Sequence, residues 1–293
     1  MDYILKDGNG IIFENGGETL RIEPWGENSL RVRACMMREI KDTDYALLPP
    51  AETEADIRIM DEFHGSITNG KITARLEVSQ WRKCCQISFY NQKEELLFRE
   101  EGDGGALNNH SRHFKARLGG DYELTVTFHA DPEEKLFGMG QYQQELLDVK
   151  NCVLELAHRN SQASVPFVLS DKGYGFFWHN PAIGKVVFGK NLTQWYAEST
   201  DQMDYWVTAG DTPDEIEQAY ARATGTVPMM PEYGMGFWQC KLRYWNQEQL
   251  LNVAREYHRR GVPVDVIVVD FYHWPKCGDF RFDEADFPDP KAM

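Results

Sequence analysis

The sequence predicts a mainly β fold, in which a β-sandwich is followed by one βαβ unit. Residues 1 to about 210 contain many short apolar stretches separated by turns and show almost no helical periodicity. This pattern is typical of a sandwich of antiparallel strands. Residues 233–286 instead read as strand, loop, helix, strand and loop, the order of a parallel βαβ unit with a right-handed crossover.

The sandwich strands are separated by Gly, Asn and Asp, as at Asn69-Gly70. We expect long loops at 42–55 and 100–111, which are polar and rich in Pro, Gly or Asn. The predicted strands include GIIFEN, ETLRIEP, SLRVRACM, KITARLEV, CQISFY, YELTVTF, VPFVLS, GYGFFWHN, GKVVFGK and DYWVTAG.

A helix is predicted at about 213–224, where Thr212 is the N-cap, Pro213 takes the first position and Gly225 ends the helix. It connects the two halves of the chain. We therefore expect a first domain at 1–228, which ends in this linker helix, and a second domain at 229–293.

A second helix is predicted between the two strands of the βαβ unit. It begins at the N-cap Asn246 and ends before Gly261. Its apolar stripe is expected to consist of Leu250, Leu251, Ala254, Tyr257 and His258.

The stretch from Val264 to Asp270 is nearly all β-branched, which favours a parallel strand buried on both faces. Asp270 follows the valines on one face of this strand and lies at its carboxyl end, whereas Asp265 lies at the other end. In a (β/α) barrel, the carboxyl ends of the strands carry the active site. From spacing alone, an active-site carboxylate and a solvated Asp that caps a loop are equally good interpretations.

The rings that follow Asp270 favour a sugar pocket. Phe271, Tyr272 and Trp274 offer flat apolar faces on which a pyranose packs, while a carboxylate accepts hydrogen bonds from sugar hydroxyls.

Five segments, taken in order, resemble glycoside hydrolase family 31. LFGMGQYQQ (136–144) and VPFVLSDKGYGFFWHN (165–180) are similar to two signatures of its N-terminal β-sandwich. The opening of its catalytic barrel is resembled by GMGFWQCKLRYWNQEQL (234–250), GVPVDVIVVDFYHW (261–274) and FRFDEADFPDPKAM (280–293). The match covers about residues 120–293 well, and five ordered matches argue against chance similarity.

This resemblance implies a galactose-mutarotase-like β-sandwich followed by the start of a TIM (β/α)8 barrel. Two strands cannot close an eight-stranded barrel, so we expect a barrel truncated at Met293. The family's two catalytic aspartates come from later barrel strands. We therefore expect no catalytic residue within this chain and no activity from it alone.

The function implied by the resemblance is that of a retaining α-glycosidase, of which this chain is the N-terminal portion. It would hydrolyse terminal α-linked xylose or glucose from oligosaccharides, and we favour an α-xylosidase. The alternative is a non-catalytic carbohydrate-binding β-sandwich or a mutarotase-like protein. Residues 232–293 argue against both alternatives, because a lone sandwich has no use for a βαβ unit.

Eight residues are predicted to bind substrate. His158 and Arg159 are included because a sandwich loop of the resembled family at this point helps to shape the sugar subsites, although an ordinary polar hairpin is an equally good interpretation. The complete set is Asp270, Phe271, Tyr272, Trp274, Trp238, Tyr244, His158 and Arg159.

Charge and composition narrow the range of partners. A net charge of -15 argues against nucleic acid and anionic membrane surfaces as partners, and the sequence has no apolar run long enough to span a membrane. The start, MDYILKDGNG, does not have the features of a signal peptide. We expect a cytoplasmic protein with six reduced and mostly buried cysteines, no metal, no cofactor and an oligosaccharide substrate. Homo-oligomerisation of the full-length enzyme is left open.

Overall fold

The computed structural model describes residues 3–102 and 110–293. The chain divides into two compact units, Met1–Thr226 and Val227–Met293. The loop predicted at 100–111 falls largely on residues outside the described ranges, whereas the loop predicted at 42–55 is present.

The first unit is built mainly of antiparallel strands. Every strand named from the sequence is confirmed, with ends that differ by at most two residues. In the described part of the unit, the strands are β1 (Ile4–Asp7), β2 (Gly10–Asn15), β3 (Glu18–Pro24), β4 (Ser29–Met36), β5 (Asp56–Ile59), β6 (His64–Asn69), β7 (Ile72–Val78), β8 (Cys85–Asn91), β9 (Leu96–Arg99), β10 (Arg112–Ala116), β11 (Tyr122–His129), β12 (Leu136–Gln141), β13 (Val153–Leu156), β14 (Ala163–Ser170), β15 (Tyr174–Trp178), β16 (Gly184–Phe188), β17 (Leu192–Thr200) and β18 (Gln202–Ala209).

Within the described ranges, these strands form one large sheet and two smaller ones. The large sheet has eight strands in the order β1-β2-β3-β4-β18-β15-β14-β12, and the two five-stranded sheets are β10-β11-β17-β16-β13 and β5-β6-β7-β8-β9. Side chains alternate between faces, so that Leu20 is buried in the core while Arg21 lies on the opposite face. One apolar core holds residues from all three sheets, such as Leu20, Phe89 and Val126. The predicted β-sandwich is therefore confirmed.

Helix α1 (Pro213–Thr224) packs on the outer face of the large sheet. The Thr212 hydroxyl accepts a hydrogen bond from the Glu215 amide at 3.3 Å, as expected for the predicted N-cap. Ile216 and Ala219 are buried in a second apolar cluster, which also contains Phe167, Phe177, Trp206 and Leu47.

A buried ionic network fixes residues 41–48 on that same outer face. Arg31 Nε and Nη2 donate to the two carboxylate oxygens of Asp204 at 3.0 and 2.6 Å, and Nη2 also donates to the Thr43 carbonyl at 2.9 Å. His179 Nδ1 lies 3.1 Å from Asp204 Oδ2, while its Nε2 accepts from the Ala46 amide at 3.1 Å. Because Nε2 is an acceptor, the ring proton lies on Nδ1 and is donated to Asp204.

This network explains why the centre of the large sheet is buried on both faces. Every residue of β18 is buried, as is every residue of β4 except Met36. Residues 41–48 cover the polar side chains on the outer face of the sheet. These side chains are therefore paired with other protein groups instead of being solvated.

The second unit is a βαβ unit, as predicted. It consists of a 3₁₀ turn at Glu232–Met235, β19 (Trp238–Lys241), α2 (Gln247–Arg259), β20 (Val266–Val269) and a 3₁₀ turn at Pro290–Ala292. Strands β19 and β20 pair in parallel, from Trp238 opposite Val266 to Lys241 opposite Val269.

The predicted ends of α2 are confirmed, but its apolar stripe is partly wrong. Asn246 Oδ1 accepts from the Gln249 amide at 2.9 Å, and Gly261 follows the helix with a φ of 64°. Leu250 is buried, whereas His258 is exposed. Tyr257, one residue earlier, makes the contact with the strands in the last turn, since its hydroxyl donates to Gln239 Oε1 at 2.5 Å.

Two expectations about burial are wrong in this unit. The valine strand is shorter than the predicted Val264–Asp270 and half-buried rather than buried on both faces, because among the described strands β20 pairs with β19 alone. The cysteines are not mostly buried, since Cys35 and Cys85 are buried but Cys240 and Cys277 are exposed. Among the described residues, no helix has the length and apolar character needed to cross a membrane.

We predict that Asp204→Asn destabilises the first unit by about 3–5 kcal/mol, because it removes the buried counter-ion of Arg31 and leaves only the exposed carboxylate of Asp44 at 3.7 Å. The free energy of unfolding is to be measured by urea titration followed by tryptophan fluorescence. The matched control is Asp56→Asn, which breaks the exposed pair with Arg58 and is expected to change the midpoint little. Equal effects of the two substitutions would show that the buried network does not hold this unit together.

Candidate functional site

The carboxyl ends of β19 and β20 meet at one edge of the second unit, because the two strands are parallel. Asp270 follows β20 directly and is exposed at this edge. Its Oδ2 lies 3.9 Å from Cys240 Sγ on β19. The structure therefore places this carboxylate where the sequence predicts it, at the strand end and open to a ligand, while its role stays a prediction.

The backbone after Asp270 adopts a strained conformation. Phe271 and Tyr272 have φ angles of 63° and 59°, in the left-handed region that non-glycine residues rarely adopt. Each such residue costs about 1–3 kcal/mol and persists only where its surroundings hold it, as at ligand sites. Their rings lie 4.1 Å apart between centroids, and Trp274 stacks on Tyr272 at 6.4 Å. The turn thus gathers three predicted residues into one aromatic cluster.

Arg243 ties this turn to the loop after β19. Its guanidinium carbon lies 3.8 Å from the centroid of the Trp245 ring and 4.6 Å from that of Tyr272. Such cation–π contacts stabilise by about 0.5–2 kcal/mol each. Our sequence analysis missed Arg243, because only folding brings it next to Tyr272.

Two predicted residues on the β19 side differ in exposure. Trp238 is 49% exposed and its indole donates to the Gly234 carbonyl at 3.1 Å, so part of its ring is open to a ligand. Tyr244 is 1% exposed, and its hydroxyl accepts from Gln239 Nε2 at 3.2 Å. Tyr244 therefore has no surface free for direct contact with a ligand in this structure and acts as a packing residue.

The loop after the aromatic cluster folds back onto the start of α2. The Asp289 amide donates to Gln247 Oε1 at 2.8 Å, and the Gln247 amide donates to the Asp286 carbonyl at 2.9 Å. Within this loop, hydrogen bonds from Arg281 lower the pKa of Asp279. The loop is thus anchored at its far end, which limits how far the aromatic cluster can move.

Asp265 has a structural role at the opposite end of β20. Its Oδ2 accepts from the Phe237 amide at 3.0 Å, and its own amide donates to the Phe237 carbonyl at 3.0 Å. The same carboxylate fills the space beside Gly236, where a Cβ atom would lie 2.0 Å from Oδ2.

His158 and Arg159 belong to the first unit, whereas the other six predicted residues belong to the second. Both side chains are exposed. Arg159 donates to both oxygens of Glu155 at 2.7 and 2.6 Å, and these hydrogen bonds lower the pKa of Glu155. His158 lines an open cavity of about 270 Å³ together with Tyr45.

The chain thus combines an antiparallel β-sandwich with a parallel βαβ unit, and an exposed carboxylate and aromatic rings lie at the strand ends of that unit. The family model for the glycosyl hydrolase 31 N-terminal galactose mutarotase-like domain matches residues 19–186, and the model for the family 31 TIM-barrel domain matches residues 227–293. The chain belongs to glycosyl hydrolase family 31, so the resemblance found in the sequence is confirmed.

The relatives that the chain resembles include glucosidases and xylosidases of this family. It is 49% identical to the uncharacterized family 31 glucosidase ORF2 of Pseudescherichia vulneris, over 100% of this chain and 58% of that protein. It is 29% identical to α-xylosidase A of Aspergillus niger, over 99% of this chain and 42% of that protein. A crystal structure of a family 31 α-xylosidase from a soil metagenome, complexed with xylose, matches with a TM-score of 0.87 and 47% identity, over 99% of this chain and 44% of that one. The chain thus spans about half the length of these relatives.

We predict that Gly236→Ala destabilises the second unit, because the new methyl group displaces the Asp265 carboxylate from the Phe237 amide. A lost hydrogen bond to a charged group costs about 1.5–3 kcal/mol. Amide hydrogen exchange across β19 and β20 is the measurement, and faster exchange at these strands is expected. Glu284→Ala is the control, since it changes an exposed side chain of the same unit, in the loop that follows the aromatic cluster. Unchanged protection at Val266–Val269 would contradict the role given to Asp265.

Proposed function

We propose that the whole protein is a retaining α-glycosidase that removes terminal α-linked xylose or glucose from oligosaccharides, with xylose favoured. Membership of family 31 supports the reaction class. The similarity to a solved α-xylosidase that holds xylose supports the sugar. The observation that carries the proposal is the exposed carboxylate of Asp270, which lies beside an aromatic cluster at the carboxyl end of a parallel strand.

In this proposal, Asp270 binds sugar hydroxyls and does not act as the nucleophile. A retaining enzyme needs a second carboxyl group about 5 Å from the first. Among the described residues, Asp270 makes its polar contact with the Cys240 thiol and not with a second carboxyl group. An ionised Asp270 accepts up to two hydroxyl hydrogen bonds, and these bonds are strong because the acceptor is charged.

The aromatic residues would provide the apolar side of the same subsite. Phe271, Tyr272 and Trp238 are each partly exposed, so their ring faces are open to the carbon–hydrogen face of a sugar. Trp274 stacks on Tyr272 and supports it from behind. The strained backbone at Phe271 and Tyr272 favours this role, since it holds the rings in place before a ligand arrives.

The proposed partner is an oligosaccharide, and the proposed location is the cytoplasm. The net charge of -15 disfavours polyanionic partners. All six cysteines are free, which supports a reducing compartment.

We predict that Asp270→Ala weakens the binding of xylose to this 293-residue chain by about 10- to 150-fold, because each lost charge-assisted hydrogen bond is worth about 1.5–3 kcal/mol. Binding is to be measured by saturation-transfer NMR titration with xylose. In the whole enzyme, the same substitution is expected to lower kcat/KM by about two to four orders of magnitude. We also expect the 293-residue chain to release no more product from aryl α-xylosides than buffer does.

The control for this experiment is Glu284→Ala, which removes one exposed carboxylate from the loop that follows the cluster. This variant is expected to bind xylose as the wild-type chain does. Equal losses of xylose affinity in both variants would show that Asp270 contributes only negative charge. Wild-type affinity in Asp270→Ala would show that Asp270 does not bind the sugar.

A further inference from the structure

Arg243 stands apart from the other arginines of the second unit. Residues 227–293 contain five arginines, all of them within the described ranges. Arg243 has no hydrogen bond or ion pair with any described residue and makes only its two ring contacts. Each of the other four donates to a side-chain oxygen: Arg255 to Asn252, Arg259 and Arg260 to Glu256, and Arg281 to Asp279.

The two ring contacts hold the guanidinium without using its hydrogen-bond donors. Trp245 and Tyr272 meet it through their ring faces, at 3.8 and 4.6 Å. A guanidinium carries five N–H donors in its own plane, and stacking leaves them free. Arg243 is also half-buried, so its side chain is partly ordered before a ligand binds. Such preorganisation lowers the entropy that binding must overcome.

No described carboxylate forms an ion pair with Arg243, although the chain has 46 acidic and 31 basic residues. Lys241, at the end of β19, contacts the Tyr244 ring and has no ion pair with a described residue either. Asp270 lies at the same edge, and among the described residues its polar contact is with Cys240 and not with either cation. Donors and an acceptor therefore lie at one strand edge without satisfying each other.

We propose that Arg243, at the strand edge that carries Asp270, forms a subsite that binds a carboxylate on the saccharide, so that the protein accepts a chain containing a uronic acid residue. This inference rests on the proposed function, because it requires a sugar to occupy the edge that carries Asp270. A guanidinium fork matches a carboxylate with two parallel hydrogen bonds, and a stacked fork keeps that geometry. Lys241 adds positive charge without a fixed direction.

The experiment compares D-glucuronate with D-glucose, which differ only at C6, in saturation-transfer NMR titrations of the 293-residue chain. We expect glucuronate to bind about tenfold more tightly than glucose at low salt, which corresponds to about 1.4 kcal/mol. This preference is expected to shrink at about 1 M NaCl, where the Debye length is about 3 Å.

Substitutions assign the preference to a residue. Arg243→Gln is expected to abolish the preference for glucuronate over glucose, even if loss of the ring contact with Tyr272 weakens the binding of both sugars. Arg243→Lys is expected to retain only part of it, because an ammonium lacks the fork. Arg255→Gln makes the same change of charge on the exposed face of α2 and is expected to keep the full preference.

The outcomes separate this inference from the proposed function. A wild-type chain that binds glucose and glucuronate equally overturns the inference and leaves the function of Asp270 intact. An Arg243→Gln variant that keeps the preference while it binds both sugars more weakly also overturns it, because Arg243 would then only support Tyr272. Failure of the wild-type chain to bind either sugar overturns both. Loss of the preference in Arg255→Gln would reduce the effect to net charge.

Discussion

The first unit depends on the carboxylate of Asp204, which joins elements that are far apart in the sequence. It lies on β18 and pairs with Arg31 on β4 and with His179 just after β15. The same partners bind the backbone at Thr43 and Ala46. A buried charge must be paired, so this one carboxylate requires three neighbouring strands and a covering segment to adopt a single arrangement. A buried ion pair contributes little net free energy compared with apolar packing, so the cost of losing this carboxylate comes mainly from the charge that it would leave unpaired.

Local patterns account for what the sequence predicts well. Strand ends follow from turn residues, and the N-caps Thr212 and Asn246 act on amides only three residues away. The network around Asp204 joins residues up to 173 positions apart, and no spacing rule links them. His258 shows the same limit on a smaller scale: helical periodicity assigns it to the buried stripe, but the last turn of α2 meets the strands through Tyr257 instead. Contacts that only tertiary packing creates are the ones that the sequence leaves open.

The candidate site shows the same division between local and distant contacts. Asp270 and the rings after it are adjacent in sequence, so a pattern of valines, a carboxylate and aromatics is sufficient to find them. Tyr244 and Trp245 are neighbours of similar character, yet the fold buries the first at 1% and leaves the second 60% exposed. The conformation of the loop after β19 decides this, and composition carries no sign of it. The sequence does not single out Arg243 for the same reason, because its partners are Trp245 in the same loop and Tyr272 in another loop.

In the second unit, the contacts that stabilise the fold lie apart from the exposed aromatic turn. The amino-terminal end of β20 is held by Asp265, whose carboxylate accepts a hydrogen bond from the Phe237 amide. Gly236 has no side chain, which leaves room for this carboxylate. The loop that follows the carboxyl end of β20 is anchored to α2 through Gln247. Between these two anchors, the chain supports two consecutive left-handed residues, at a cost of about 1–3 kcal/mol each. Ring stacking against Arg243 and Trp274 offsets part of that cost. The aromatic turn can therefore remain exposed and still hold one conformation. A binding surface at a strand edge requires both properties.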